Sequence, residues 1–271
     1  MTSVSRKNGQ LVYEVFGTGN QILLAFHGFG QDRKIFGPWA RILREDFKIY
    51  AFDLFYHGES TRRQDYLSKE EWKHWLEDFL QKEGIDHFSV LGYSLGGRFA
   101  IAAAMSFPDR VEALYLIGPD GIFLTPWFRL ATTPGLRWVF KLFMYHPNVM
   151  ARLLNFNSRF EVINPYVIDF IKKEMGDTAS RKRIYRAWNY FKTLGYKKDA
   201  LVECLKHSTF SKLLIVGEKD QIIKPSGILP LIKEIAGFEV VTLPLKHHQL
   251  ARPQVAKAIL DLANRSQDRP Q

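Results

Sequence analysis

The stretch Phe88-Ser89-Val90-Leu91-Gly92-Tyr93-Ser94-Leu95-Gly96-Gly97 decides how this chain folds. It reads as a short apolar strand, a sharp turn, and a helix entered through the alanine-rich run from Arg98 to Met105. Within it lies Gly-x-Ser-x-Gly, with Ser94 at the centre. A serine at the tip of a strand-to-helix turn holds a strained backbone between segments that crowd each other. Gly92 and Gly96 remove the side chains that would clash there. Ser94 Oγ then stands clear at the positive end of the following helix dipole, and the Leu95 N–H points where a tetrahedral oxyanion would form. Taken alone, the pentapeptide is also what a flexible Gly/Ser turn looks like; its surroundings separate the two.

Outward from the elbow, short apolar runs alternate with helical patterns. Leu11–Phe16 alternates as a strand with one wet face, whereas Ile22–Phe26 and Lys48–Phe52 are continuous apolar runs of the kind covered on both faces. A helix is expected over Phe36–Arg44. Ser68 followed by Glu71 is a capping box that opens another helix, running to about Lys82. Strands Val111–Ile117, Lys212–Gly217 and Phe238–Leu243, with helices near Ile228–Ile235 and Pro253–Asn264, complete an α/β pattern with a mostly parallel sheet. Between residues 119 and 207 the rhythm breaks. That segment is helical, aromatic and basic, punctuated by Pro126, Pro134, Pro147 and Pro165, and reads as an insertion into a core formed by residues 1–118 and 208–271.

Composition narrows the class. The 271 residues are 46% hydrophobic and 24% charged, as in a globular domain, and no apolar run reaches the length of a membrane span. The polar start, Met1–Gln10, has no signal-peptide pattern. With the single cysteine, Cys204, this leads to the expectation of a cytoplasmic protein without disulfides or a cysteine-rich metal site. The net charge of +10 is localised: Ile122–Lys206 holds 15 Lys and Arg against 6 Asp and Glu, leaving the rest nearly neutral. No nucleic-acid reader motif accompanies that charge, so nucleic acid is not an expected partner.

Acyl transfer through serine requires a hydroxyl, an imidazole, a carboxylate to orient the imidazole, and two N–H donors for the oxyanion. Ser94 supplies the first. Asp220 follows the strand ending at Gly217, and His247 and His248 follow the strand ending at Leu243. Leu95 N–H and an N–H of the loop after Phe26, that of Phe29, are the donors. All lie at carboxyl ends of expected strands, where open α/β sheets build sites. Asp120 also ends a strand and is an alternative acid. His27, Asp53 and His57 read as braces of turns near the site, Glu218 as solvated, and Arg181-Lys182-Arg183 with Arg186 as the wet face of a helix.

In sum, the chain resembles the α/β-hydrolase superfamily, serine-nucleophile branch, with a helical cap. The matching pieces are His27-Gly28-Phe29-Gly30, Asp53 with His57-Gly58-Glu59-Ser60, the elbow at Ser94, Gly217-x-x-Asp220 and the terminal histidine. The resemblance implies an eight-stranded, mostly parallel sheet flanked by helices, and a cap at 119–207 roofing the site. It also implies a Ser94–His247–Asp220 triad with Phe29 and Leu95 as oxyanion donors, and no cofactor or metal. Two departures stand out: Tyr56 replaces a motif glycine, and Lys246 replaces the glycine before the histidine. The distance to Pro253 favours His247 as the base, with His248 the alternative. The expected reaction is hydrolysis of a carboxylic ester or thioester. Carbon–carbon hydrolysis of a β-diketone by the same triad, and a non-catalytic binding protein on the same fold, are the alternatives. The basic cap, with aromatics including Trp127, Phe128, Trp138, Phe140, Phe156 and Trp188, fits an anionic or lipid-like acyl substrate, or peripheral contact with a membrane.

Overall fold

The computed structural model describes residues 2–62, 66–122, 128, 131–146, 148–149, 152, 168, 172 and 175–267. Of the residues singled out above, Pro126, Trp127, Pro147, Phe156 and Pro165 lie outside these. In chain order the elements are β1 (Thr2–Arg6), β2 (Gly9–Phe16), β3 (Gln21–Phe26), α1 (Gly37–Leu43), β4 (Phe47–Phe52), β5 (Thr61–Arg62), α2 (Lys69–Glu83), β6 (Phe88–Tyr93), α3 (Gly96–Ser106), β7 (Val111–Ile117), α4 (Arg137–Tyr145), α5 (Thr178–Phe191), α6 (Lys198–His207), β8 (Ser211–Gly217), α7 (Pro225–Ile232), β9 (Phe238–Leu243) and α8 (Ala256–Gln267).

The sheet runs β1-β2-β4-β3-β6-β7-β8-β9, an eight-strand path, with the two-residue β5 beside β2. β1/β2 and β2/β4 are antiparallel, and every later pair on the path is parallel. The continuous apolar runs have a direct cause: both sheet faces are covered. Alternate residues Leu23, Ala25, Ile49, Ala51, Leu91, Tyr115 and Ile215 pack with Trp39 and Leu43 of α1 and Ile259 of α8. Their neighbours Phe26 and Phe52 stack with each other, while Trp72 of α2 and Phe99 of α3 meet edge-on at 5.0 Å and Phe26 lies 5.5 Å from Trp72. Helix α2 starts at the expected capping box, with Ser68 Oγ accepting from Glu71 N at 3.1 Å and a Glu71 carboxylate oxygen accepting from Ser68 N at 3.1 Å.

Two strand expectations change. β1 pairs with β2 throughout, from Thr2 opposite Tyr13 to Arg6 opposite Gly9, where the sequence shows only a polar start. Because β2 is therefore interior, Leu11, Val12 and Tyr13 are all buried, and alternation survives only in its second half.

The chain packs into two compact units, one of Met1–Gln64, Ser68–Phe123 and Leu194–Gln271, the other of Asp65–Leu67 and Leu124–Thr193. Helix α6, which falls in the 119–207 segment, packs with the first unit. In the second unit Phe140 of α4 stacks on Trp188 of α5, with ring centroids 5.5 Å apart and planes 5° from parallel. Arg181 is not on a wet face as the basic run implies. It is buried and donates to the carbonyls of Met144 (3.3 Å), Met175 (2.9 Å) and Gly176 (3.2 Å) and to Thr178 Oγ1 (2.7 Å). The reason is that its guanidinium supplies donors to the Met144 carbonyl, which the end of α4 leaves without an intrahelical partner, and to the Met175 and Gly176 carbonyls just ahead of α5. Among the described residues, no helix is long and apolar enough to cross a membrane.

Candidate active site

Ser94 lies between the last residue of β6 and the first turn of α3, with φ of +50°. A side chain at Gly92 would sit 2.5 Å from the Gly96 carbonyl oxygen, and one at Gly96 only 2.0 Å from that of Phe26. The elbow can therefore close only with glycine at both places. Its backbone is pinned on both sides: Ser94 N donates to Ile117 O at 3.0 Å, and Ser94 O accepts from Gly97 N (2.9 Å) and Asp120 N (2.8 Å). This overdetermined setting sustains a conformation that an L-residue would otherwise leave.

Asp220 follows β8 on a turn closed by its own N–H to Gly217 O, and is 1% exposed. One carboxylate oxygen, Oδ1, accepts from the N–H groups of Ile222 and Ile223, both at 2.8 Å, which leaves Oδ2 for His247. His247 follows β9. Its Nδ1 is 2.6 Å from Asp220 Oδ2 and its Nε2 is 2.8 Å from Ser94 Oγ. With the carboxylate accepting from Nδ1–H, Nε2 keeps its lone pair facing the serine hydroxyl. Tyr93 holds the ring from the side, stacked at 5.5 Å, and its hydroxyl donates to His247 O at 3.0 Å. His248 is exposed, whereas His247 is buried. Asp120 is taken by Arg98, whose Nε and Nη2 reach its two oxygens at 2.6 and 2.9 Å.

The loop after β3 lies against the elbow through the contact at Gly96. Here Gly28 N donates to Gln31 Oε1 at 3.0 Å and Gln31 N returns to Gly28 O at 3.4 Å, with Phe29 on the turn between them. Neither Phe29 N nor Leu95 N donates to an acceptor among the described residues. His27 is fully buried. Its Nδ1 donates to Gly28 O at 2.7 Å while Nε2 accepts from Leu54 N at 3.0 Å, the pattern of a neutral ring. Burial holds its pKa down to about 4. Asp53 braces the neighbouring turn by accepting from Arg33 N and Glu59 N, each at 2.8 Å, and from the Arg33 guanidinium. Glu218 is exposed, as its sequence position implies.

Sequence reasoning passed over Tyr93, Gln31 and Arg98. Tyr93 is the free position of Gly-x-Ser, and only its contact with His247 gives it a part. Tyr56, the motif departure, keeps the turn: it has φ of +65°, the left-handed conformation a glycine would adopt without cost. Among the described residues no three His, Cys, Asp or Glu side chains are grouped as a metal site requires.

The family model for the alpha/beta hydrolase fold matches residues 21–251. Lipase 1 of Psychrobacter immobilis is 27% identical over 241 residues, covering 86% of this chain and 73% of that protein. An uncharacterised protein of Mycobacterium tuberculosis is 33% identical over 124 residues, a match that spans only 36% of its length. A thermophilic esterase from Thermogutta terrifontis superposes with a TM-score of 0.72 at 21% identity, over 98% of this chain and 99% of that one. With the elbow, the sheet order and a family model matched across most of its length, this chain belongs to the α/β-hydrolase family.

Proposed function

We propose that the protein hydrolyses a carboxylic ester or thioester through an acyl-enzyme on Ser94. The reading rests on one observation, the unbroken hydrogen-bonded line from Asp220 through His247 to Ser94. In this mechanism Ser94 Oγ attacks the acyl carbonyl as His247 Nε2 takes its proton. The oxyanion is held by the N–H groups of Leu95 and Phe29, donors of a kind worth about 3 kcal/mol each in comparable sites. The imidazolium, steadied by Asp220, gives its proton to the departing alcohol or thiol. Water, deprotonated by the same nitrogen, then attacks the acyl carbon; the acid leaves and Ser94 recovers its proton. No step calls for a metal or an organic cofactor.

Similarity to a protein named as a lipase over most of the chain supports acyl chemistry. The positive charge gathered between Ile122 and Lys206 supports an anionic or lipid-like acyl group. Turnover of p-nitrophenyl esters and acyl thioesters of graded chain length, with a β-diketone beside them, tests the reading. Wild type is expected to cleave at least one ester or thioester series, with loss of about a thousandfold or more in Ser94→Ala. Turnover of the β-diketone alone would move the assignment to carbon–carbon hydrolysis, and inertness toward the whole panel would leave a binding protein.

A further inference from the structure

Only six large hydrophobic residues are exposed among those described, and three of them fall within one short stretch: Leu136 (48% exposed), Trp138 (64%) and Leu142 (39%). Trp138 and Leu142 are four apart on α4 and share a face. The opposite face carries Phe140 and Met144, which are buried, Phe140 against Trp188 and Tyr185 of α5. The outward pair is therefore not needed to hold α4 in place. Basic side chains lie beside it. Arg137 and Lys141 are exposed on the same helix, and the Lys141 and Lys182 ammonium groups lie 5.4 and 5.2 Å from the Tyr145 ring centroid, so bases from α4 and α5 converge beside the apolar pair. From Ile122 to Phe160 the sequence has five Lys and Arg and not one Asp or Glu.

We propose that this face of α4 docks on an anionic lipid surface, with Trp138 and Leu142 entering the headgroup boundary and Lys141, Arg137 and Lys182 meeting lipid phosphates. The size of the patch argues for a membrane rather than a protein partner: three side chains cannot provide the roughly 800 Å² per partner of a stable protein interface. Tryptophan beside aliphatic residues and a basic rim is the composition that settles at a bilayer interface. An acidic headgroup surface complements the Arg137, Lys141 and Lys182 side chains beside the apolar pair. The inference goes beyond the hydrolase reading and does not depend on it.

Co-sedimentation of the full chain with vesicles of phosphatidylcholine, alone or mixed with phosphatidylglycerol, tests this. Wild type is expected to bind the anionic vesicles, to bind the neutral ones about tenfold less, and to be released by high salt. The double variant Trp138→Ser/Leu142→Ser should bind about tenfold more weakly with its thermal unfolding unchanged, as should Lys141→Glu/Lys182→Glu. Val240→Ser, which removes an exposed apolar residue of β9, should bind like wild type. Quenching of wild-type tryptophan fluorescence by brominated lipid in the anionic vesicles needs no variant and is also expected. The proposal fails if wild type ignores anionic vesicles, if no quenching occurs, or if Trp138→Ser/Leu142→Ser binds as well as wild type. It also fails if sedimentation velocity shows a dimer that this variant disperses, since a second copy would then be what covers the patch.

Discussion

At Ser94 the chain accepts a left-handed backbone, φ +50°, in a residue that gains nothing from it locally. What it gains is position: Oγ lies 2.8 Å from an imidazole whose other nitrogen is fixed by a buried carboxylate. If Asp220 acts by fixing that tautomer, Asp220→Asn lowers kcat by about 10⁴ while leaving substrate binding near normal, read from a KM that stays within a few-fold. His247→Ala should abolish turnover and His248→Ala should change it little; the reverse result would move the base by one residue. His27 makes a prediction in pH. Its folded-state pKa is depressed to about 4, against about 6.5 in the unfolded chain, so between these values the unfolded state binds the extra proton. The contribution is therefore complete above about pH 6.5 and is lost as pH falls toward 4, amounting to about 3 kcal/mol. Urea unfolding across that range should show stability falling with acidity, more shallowly in His27→Gln, and equal slopes would contradict it. Ser94, Asp220 and His247 were legible because their types recur in fixed order at strand ends. Tyr93 was not, since it acts through a contact with the His247 carbonyl that exists only once distant segments meet. Nor was Gln31, since its bond to Gly28 N closes a local turn that no apolar period marks.

Among the elements, the elbow helix has no room for a side chain where it begins. Gly96→Ala would drive a methyl to 2.0 Å from the Phe26 carbonyl oxygen, backbone against backbone, with no flexible side chain to yield. A loss of about 3–5 kcal/mol is expected, seen as a lowered urea midpoint or insoluble protein, whereas wild-type-like stability would mean that β3 and α3 are not so close. Arg181→Met strips donors from three carbonyls that join α4 to the start of α5. It should cost about 2–4 kcal/mol and open new proteolytic sites in the second unit. The β/α alternation and the capping box at Ser68 were readable because apolar period and cap chemistry are local. β1 was not: an edge strand needs one apolar residue facing inward, here Val4, and a single residue makes no period. Its hairpin turns at Lys7-Asn8, between Arg6 and Gly9, a pair without the glycine that marks a two-residue turn. Arg181 looked wet because charge implies water unless carbonyls nearby need donors, and that need is set by how helices meet.

Over the molecule as a whole, chemistry and charge are divided between the two units. Ser94, Asp220 and His247 all belong to the unit built on the sheet, while the run from Leu124 to Phe160 of the other carries five Lys and Arg and no Asp or Glu. Family membership was legible because five short motifs in order specify a sheet and its strand-end loops. Substrate was not, because acyl chain and leaving group are chosen by pocket shape, which no single motif encodes. The proposed role of Ser94, a nucleophile activated by His247, is nonetheless independent of substrate. Labelling with a fluorophosphonate, followed by intact mass and peptide mapping, tests it most directly. A single adduct on Ser94 is expected, absent from Ser94→Ala and strongly slowed in His247→Ala. A folded wild-type protein that takes up no label, or takes it up on another residue, would contradict it.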